Sequence, residues 1–206
     1  MKLLYQTHSP FARKALVFAH ETGLADRLEV VHHETSPILR NAAVHALNPL
    51  GKAPVLITDT GEAIFDSGVI CEYLDDLHGG PPLIPTDPAE RIAIRRLQAV
   101  ADGIAEAGIL VRWETVRRPE ELRYPPLAEG HKAKVVGGCA FLERHFRPRE
   151  TPGLAEIAIA TALDWIAFRD IHDFRPDCPT LAAWLEGFAQ RPSMRATTLA
   201  GDTVDA

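Results

Sequence analysis

The 206 residues suffice for one large domain or two small ones, and an apolar content of 46% with a charged content of 24% is ordinary for a globular protein. A net charge of −6 speaks against nucleic acid or an anionic membrane as the main partner, because both favour clustered Lys and Arg. The longest apolar runs fall far short of the ~20 residues of a membrane-spanning helix, and the N-terminus lacks the apolar core of a signal peptide, so we expect a cytoplasmic protein.

The first part of the chain alternates strands and helices. A short apolar strand over residues 2–5 precedes a polar loop, and a helix is predicted from Pro10, with Ser9 as its cap. A second strand follows over residues 28–31, as a right-handed βαβ unit with parallel strands requires. Residues 38–47 give a weaker helical pattern.

A β-hairpin is predicted next. Residues 55–57 form an apolar, β-rich run, and a polar turn separates them from a second short strand over residues 63–65. The first of these strands begins after Pro54, where no ladder donor is needed. A cis Ala53-Pro54 peptide would turn the N–H and C=O groups of Ala53 outward, where a bound peptide could pair with them.

A third helix follows the hairpin, because Asp66 and Ser67 precede an apolar run at helical spacing, and Ser67 is its predicted N-cap. A ligand with an ammonium and a carboxylate would find partners for both groups here. Asp66 suits the cation, Ser67 with the helix N-terminus suits the anion, and Lys52 adds a nearby positive charge. Each residue alone is explained as well by a structural role; together they predict a site for an amino-acid-like ligand.

The predicted order β-α-β-α-β-β-α indicates an α/β layer arrangement for residues 1–80. A G-G-P-P run and two further prolines then break the pattern, and everything beyond reads as helical. We therefore predict an all-α domain over residues 88–206, whose tail from residue 195 is expected to fray. Its predicted helices cover residues 88–117, 127–146, 154–168 and 179–190.

Several motifs resemble those of cytosolic glutathione S-transferases. N-P-L-G-K-A-P-V-L, with Asp and Ser before the third helix, is similar to the glutathione-site half of that family's thioredoxin-like domain, and S-P-F-A-R-K resembles the Ser-Pro-Phe element of its bacterial, serine-type members. L-A-E-I-A-I-A resembles the start of the family's buried sixth helix, where Gly153 replaces a Ser or Thr cap and Glu156 keeps half of the capping box. The resemblance implies a thioredoxin-like N-terminal domain, with a cis Ala53-Pro54 peptide, followed by a helical bundle.

The resemblance further implies an enzyme of detoxification that takes glutathione as co-substrate and activates its thiolate for attack on a small hydrophobic electrophile. Ser9 is the expected catalytic donor, since a hydroxyl at a helix N-terminus stabilises a thiolate; Tyr5 and Thr7 are its rivals. The expected binding residues are Phe11, Lys52, Ala53, Pro54, Asp66 and Ser67.

Further expectations concern the remaining partners of the site. Phe11 could line the electrophile pocket together with Ile109, Arg112 and Trp113, although core packing explains the apolar ones equally well. Arg13 or Arg40 could bind the glycyl carboxylate of glutathione. A homodimer is expected to pair an arginine face of the long helix with acidic residues of the third helix, namely Arg91, Arg95 and Arg96 with Glu72, Asp75 and Asp76.

A second hypothesis is a glutathione-site fold that serves as a binding or interaction module without turnover, since fold alone does not secure function. The set of Ser9, Lys52, Asp66 and Ser67 favours the enzyme, because a module without a ligand need not keep it. The sequence does not decide between conjugation, isomerisation and dehalogenation.

The cysteines and histidines predict no metal site. The three cysteines are scattered, without a C-x-x-C pair, and the histidines form no H-x-x-x-H or His/Cys cluster. Buried thiols in a reducing compartment are the expected state of Cys71, Cys139 and Cys178.

Overall fold

The computed structural model describes residues 1–203, and the chain divides into two compact units. The sheet unit comprises Met1–Thr86 together with the segment that begins at Pro192, and the helical unit comprises Asp87–Arg191. Within residues 1–203, no helix combines the length and the apolar character needed to cross a membrane.

A four-stranded sheet in the order β2-β1-β3-β4 organises the sheet unit. Its elements are β1 (Lys2–Tyr5), α1 (Pro10–Glu21), β2 (Glu29–His32), α2 (Ala42–His45), β3 (Val55–Ile57), β4 (Ala63–Ile64) and α3 (Ser67–Leu77). The β1 strand runs parallel to β2 and antiparallel to β3, which is in turn antiparallel to β4. This is the predicted thioredoxin-like order, and the α/β class of the sheet unit is confirmed.

The core of the sheet unit forms where α1 and α3 contact each other beside the sheet. Leu3, Leu56 and Val55 are completely buried, as strands covered on both faces require. The α1 helix contributes Val17 and Phe18, both also without exposed surface. This packing fixes the positions at which α1 and α3 begin.

The α2 helix is shorter than predicted, with four residues instead of the expected span of residues 38–47. The side chain of Asn41 accepts a hydrogen bond from the Val44 N–H at 3.2 Å and donates one to the Glu34 carbonyl at 2.9 Å. Asn41 therefore acts as the N-cap, and the residues before it belong to the preceding loop.

The segment of residues 192–203, called here the return segment, packs on α1. It begins with a short helix, α8 (Pro192–Ala196), which contacts α1. The Arg13 side chain on α1 is 3% exposed, and its guanidinium donates to the carbonyl oxygen of Met194 at 3.2 Å and to Oγ1 of Thr197 at 3.3 Å. These buried, charge-assisted hydrogen bonds hold the return segment on the sheet unit.

The return segment departs from the prediction of one helical domain over residues 88–206. The sequence pattern gave no sign of a last helix after Pro192, and it suggested fraying from residue 195, because the binding partner of this segment is distant in sequence. Residues 204–206, which that predicted domain included, lie outside the described residues.

The helical unit confirms the predicted all-α class. Its helices are α4 (Pro88–Arg112), α5 (Pro125–His145), α6 (Leu154–Phe168) and α7 (Pro179–Phe188), and α4 ends in a π-helical turn, Trp113–Arg117. The α6 helix, which contacts α4 and α7, is buried along nearly its whole length. Buried residues lie on nearly all faces of this helix, as is typical of a helix at the centre of a domain.

Two features explain how the helices of this unit fit together. A Cβ atom at Gly138 on α5 would lie 2.5 Å from Cγ1 of Ile104 on α4, so the Ile104 side chain packs directly against the backbone of α5. At the start of α6, the Gly153 N–H donates to Oε2 of Glu156 at 2.9 Å, which confirms the predicted half of a capping box. The other carboxylate oxygen of Glu156 accepts the N–H of Arg149 at 3.0 Å.

Candidate functional site

Three connections of the sheet unit meet at one edge of its sheet. The β1 strand runs toward this edge, whereas β3 starts there, since the two are antiparallel and Leu4 pairs with Val55. The β4 strand is antiparallel to β3 and ends at the same edge. Five predicted site residues follow or precede these strand ends: Ser9, Ala53, Pro54, Asp66 and Ser67.

Ser9 is the N-cap of α1, as predicted, and its side chain is 7% exposed. Its Oγ accepts a hydrogen bond from the Ala12 N–H at 3.2 Å, and its own N–H donates to the Gln6 carbonyl at 2.9 Å. A hydroxyl has one donor and two acceptor sites, so accepting at the cap leaves its proton for a further partner. That proton stands at the positive end of a helix of 12 residues.

The two rival hydroxyls stand in different surroundings. Tyr5 is 6% exposed on β1, and burial raises the pKa of its phenol to about 12, despite the opposing influence of Arg13. A phenol of raised pKa is a weaker hydrogen-bond donor to an anion. Thr7 is half-buried in the loop before α1, and its carbonyl accepts the Ala200 N–H at 3.2 Å. Of the three candidates, Ser9 alone caps the helix.

The Ala53-Pro54 peptide is cis, which confirms the prediction. Pro54 is buried directly before β3, Ala53 is half-buried and Lys52 is exposed. The structure thus leaves the ammonium of Lys52 accessible near the start of the strand.

The loop that leads to Lys52 is built by its own side chains. Asn48 donates from Nδ2 to the Lys52 carbonyl at 2.9 Å, and its Oδ1 accepts the Leu50 N–H at 3.0 Å. Gly51 has a φ of +63°, and a side chain at this position would clash with the imidazole of His45. Both facts require glycine in the G-K-A-P run.

The N-cap of α3 is Asp66 and not Ser67, which was the predicted cap. Oδ1 of Asp66 accepts the N–H groups of Gly68 at 2.9 Å and Val69 at 3.4 Å, because aspartate in an extended conformation caps as well as serine. Ser67 becomes the first helical residue, with 3% exposure. The exposed carboxylate of Asp66 keeps a second oxygen that can accept a hydrogen bond from a ligand.

The residues predicted to line the electrophile pocket belong partly to the sheet unit and partly to the helical unit. Phe11 lies on the first turn of α1, half-buried, with its ring centroid 5.6 Å from Nζ of Lys14. In the helical unit, Arg112 is the last residue of α4, and the Trp113 ring lies 3.9 Å from the guanidinium carbon of Arg117. The grouping of Phe11 with Ile109, Arg112 and Trp113 stays a prediction.

The helical unit itself contains a cavity of about 930 Å³ at the end of α4. Charges of both signs line it, including Arg112, Glu120, Arg123, Lys132 and Asp170. This mixed lining gives no preference for the charge of a ligand.

Sequence reasoning missed a polar cluster at the edge of the sheet that carries Ser9. Nε2 of Gln6 donates to Oε2 of Glu34 at 3.0 Å, while Oε1 of Glu34 lies 2.9 Å from Nε2 of His32. His8, 5% exposed, has its Nε2 3.7 Å from Glu34 Oε2. Because β1 and β2 are parallel, with Tyr5 opposite His32, the residues just beyond both strands had to meet, and this signal was available in the sequence.

The two arginines considered for a glycyl carboxylate also differ in their surroundings. Arg13 is buried and holds the return segment, so its guanidinium has a structural task. Arg40 is exposed in the loop before α2. The structure therefore removes the argument for Arg13 and leaves the one for Arg40 unchanged.

Comparisons with known protein families and sequences give matches along the chain. A sequence profile of the glutathione S-transferase N-terminal domain matches residues 8–77, and one of the glutathione S-transferase C-terminal domain matches residues 125–187. The uncharacterized GST-like protein YibF of Escherichia coli strain K12 is 33% identical over 202 residues, which cover 96% of this chain and 98% of that protein.

Solved structures match over nearly the same length. A glutathione transferase family member from Pseudomonas fluorescens Pf-5, crystallised with bound glutathione, superimposes with a TM-score of 0.89 at 38% identity, covering 97% of this chain and 99% of that chain. A glutathione S-transferase from Methylobacillus flagellatus KT with GSH bound has a TM-score of 0.85 at 34% identity, covering 97% and 99% of the two chains. Sheet unit and helical unit thus occur together in these proteins.

Proposed function

The chain belongs to the glutathione S-transferase family, and we propose that it is an enzyme of detoxification that transfers glutathione, its co-substrate, to a small hydrophobic electrophile. The observation that carries this proposal is the meeting of three groups at one edge of the sheet: the Ser9 hydroxyl, the strand start at Ala53-Pro54 and the exposed Asp66 carboxylate. Similar structures that hold glutathione support the choice of co-substrate.

The peptide ends of glutathione fit the groups around β3 and α3. The Asp66 carboxylate receives the γ-glutamyl ammonium through the oxygen that does not cap the helix. The N–H and hydroxyl of Ser67 receive the neighbouring carboxylate at the positive end of α3. The backbone of Ala53 pairs with that of the bound peptide, and Lys52 adds a cation.

Ser9 stabilises the thiolate in this proposal. A cysteine thiol has a pKa of about 8.5, so at neutral pH a few per cent is ionised. The Ser9 hydroxyl donates its proton as a hydrogen bond to the sulfur, while the N-terminus of α1 adds its partial positive charge. Lowering the thiol pKa by ~2 units requires only ~2.7 kcal/mol of preference for the anion.

The electrophile is proposed to bind beside Phe11. An aromatic ring suits a hydrophobic acceptor. In the non-catalytic alternative, the same residues hold glutathione, and no second substrate follows.

We also propose a homodimer, in which the arginine face of α4 meets acidic residues of α3 from a second copy. Asp75 no longer belongs to this proposal, since its carboxylate accepts the N–H groups of Leu83 at 2.8 Å and Ile84 at 3.0 Å within its own chain. The exposed members of the predicted pairing are Arg91, Arg96, Glu72 and Asp76. A monomeric mass at micromolar concentration would contradict it.

Two further expectations stay proposals. The sheet unit is proposed to serve as the glutathione-binding domain, and the helical unit as the helical domain. A cytoplasmic location is proposed because the three cysteines are buried thiols, which suit a reducing compartment.

The test uses the purified full chain, glutathione and a panel of electrophiles that contains activated aryl halides, epoxides and unsaturated carbonyl compounds. We expect saturable calorimetric binding of glutathione, and conjugation of at least one panel member above the uncatalysed rate. Binding without turnover of any electrophile would favour the non-catalytic module. Absence of glutathione binding would overturn both.

A further inference from the structure

The return segment reaches the loop that carries Ser9. After α8, the chain continues to Ala200, whose N–H donates to the carbonyl oxygen of Thr7 at 3.2 Å. Thr7 stands two residues before Ser9, within the turn that connects β1 to α1. The return segment thus makes a direct backbone contact with the candidate catalytic turn.

The anchorage of the return segment on α1 is buried and polar. Ser193 donates its hydroxyl proton to Oε1 of Glu21, and Arg13 binds Met194 and Thr197 as described above. Ser193, Met194 and Thr197 are each at most 3% exposed. Buried hydrogen bonds to charged groups are among the strongest in proteins, so these bonds stabilise this part of the segment on α1.

The turn before α1 is therefore held from two sides. From within, the Ser9 N–H donates to the Gln6 carbonyl at 2.9 Å. From outside, the Ala200 N–H binds the peptide that joins Thr7 to His8. Loss of the outer bond would free this peptide plane to rotate, and the rotation would be transmitted to Ser9.

We infer that the return segment positions Ser9 for the thiolate: the Ala200 N–H, anchored through Arg13, is a positioning group of the catalytic turn. This inference rests on the proposed function, since it concerns the hydroxyl assigned there to the sulfur. A hydrogen bond weakens steeply outside a narrow range of distance and angle, and a displacement of about 1 Å at a reacting centre can cost about 100-fold in rate. A remote segment can thus control catalysis without touching the substrate.

Ala200→Pro is the selective test, because proline has no backbone N–H to donate. Ala200 is exposed, so Ala200→Ser is a matched control that keeps the donor and adds no buried group. In Ala200→Pro we expect the thiol pKa of bound glutathione to rise by about one unit and conjugation below neutral pH to fall about 10-fold, with the KM for glutathione unchanged. Ala200→Ser should match the natural protein in all three.

A second variant reaches the same turn through the anchor. Thr197→Val removes the oxygen that accepts from Nε of Arg13 and keeps a side chain of similar shape. It should shift the thiol pKa in the same direction as Ala200→Pro. A melting temperature measured for each variant separates this effect from general loss of the fold.

Amide hydrogen exchange provides a readout that does not depend on glutathione. Exchange at Ser9 and Ala12 should accelerate in Ala200→Pro and stay unchanged in Ala200→Ser. Unchanged exchange together with an unchanged thiol pKa in Ala200→Pro would overturn the inference. If the natural protein fails to lower the thiol pKa at all, the proposed role of Ser9 fails, and hydrogen exchange still decides whether the return segment holds the turn.

Discussion

The sheet unit and the helical unit each begin a helix at an acidic side chain, and they use the two carboxylates differently. Glu156 at the start of α6 is 1% exposed, and each of its oxygens accepts a backbone N–H, from Arg149 and Gly153. Asp66 at the start of α3 is exposed and uses one oxygen for the N–H groups of Gly68 and Val69. Both oxygens of the Glu156 carboxylate therefore accept backbone hydrogen bonds, whereas the Asp66 carboxylate caps its helix with one oxygen.

This difference gives a criterion for telling a structural carboxylate from a candidate binding one. A buried carboxylate must have its acceptor sites filled, because an unsatisfied buried charge costs several kcal/mol. An exposed carboxylate carries no such demand and can exchange water for a ligand. Glu156 should therefore govern stability, whereas Asp66 should govern affinity.

Glu156→Ala should give the largest effect. Removing the carboxylate leaves the N–H groups of Arg149 and Gly153 without their partner inside the helical unit, and it should lower the free energy of unfolding by about 3–5 kcal/mol. Denaturant unfolding measures this loss. The folded fraction should bind glutathione as tightly as the natural protein. A decrease of less than about 1 kcal/mol in the free energy of unfolding would contradict the expected difference between Glu156 and Asp66.

Asp66→Ala should affect binding more than stability. Loss of a charge-assisted hydrogen bond should weaken glutathione binding by about 1.5–3 kcal/mol, and loss of the helix cap should cost about 1 kcal/mol of stability. Asp66→Asn is the matched control, because asparagine caps as well as aspartate but carries no charge. Calorimetry should find weak binding in both variants; natural affinity in both would place the ammonium elsewhere.

The sequence alone predicted only part of the difference between the starts of α3 and α6. The Ser9 and Pro10 start of α1, the whole of α6 and the cis Ala53-Pro54 peptide were predicted, because local spacing or a long motif specifies each. The sequence also held Glu156 three residues after Gly153, and the half of a capping box predicted from it was confirmed.

The misses have two physical causes, which are competition between neighbouring residues and contact between residues distant in sequence. Asp66 and Ser67 can each cap a helix, and only the backbone conformation of Asp66 decided between them. The α2 helix was shortened by Asn41, whose side chain bonds to the backbone on both sides. The return segment depends on Arg13, a partner more than 180 residues away, as its bond to Met194 spans 181 positions.

Ser9→Ala tests whether the Ser9 hydroxyl stabilises the thiolate of bound glutathione. The glutathione affinity should remain, since the peptide ends are held elsewhere, but the thiol pKa in the complex should rise. Conjugation below neutral pH should fall about 10-fold for each pKa unit, and an ultraviolet titration of the thiolate measures the shift directly. Ser9→Thr keeps a hydroxyl and serves as the control for the cap.

An unshifted thiol pKa with a full conjugation rate in Ser9→Ala would reduce Ser9 to a helix cap. Ser9→Cys gives a converse check, because a thiolate at a helix N-terminus is reactive and should form a mixed disulfide with oxidised glutathione. Thr7 would be the next residue to replace, since burial already raises the pKa of Tyr5 to about 12.

The smallest effect is a loss in the free energy of unfolding in alkaline solution, which should be absent at neutral pH. One group in each unit contributes to it. Burial raises the pKa of the Cys139 thiol from 9.0 to about 12 and that of the Tyr5 phenol from 10.0 to about 12. The folded state thus favours both neutral forms, and the resulting stability is fully present below the unfolded pKa values and lost as the pH rises toward the folded ones. Unfolding free energies should fall above about pH 9, and Cys139→Ala should fall less steeply.

The return segment also sets the order in which the protein can be completed during its synthesis. The sheet unit contains residues that precede the helical unit in the sequence and residues that follow it. The ribosome therefore synthesises the helical unit before α8. Domains generally fold as units while the chain emerges, yet here the surface of α1 that receives α8 waits until the helical unit has been made. A nascent chain halted before Pro192 should therefore contain a finished helical unit, whereas the turn that carries Ser9 still lacks its hydrogen bond from Ala200.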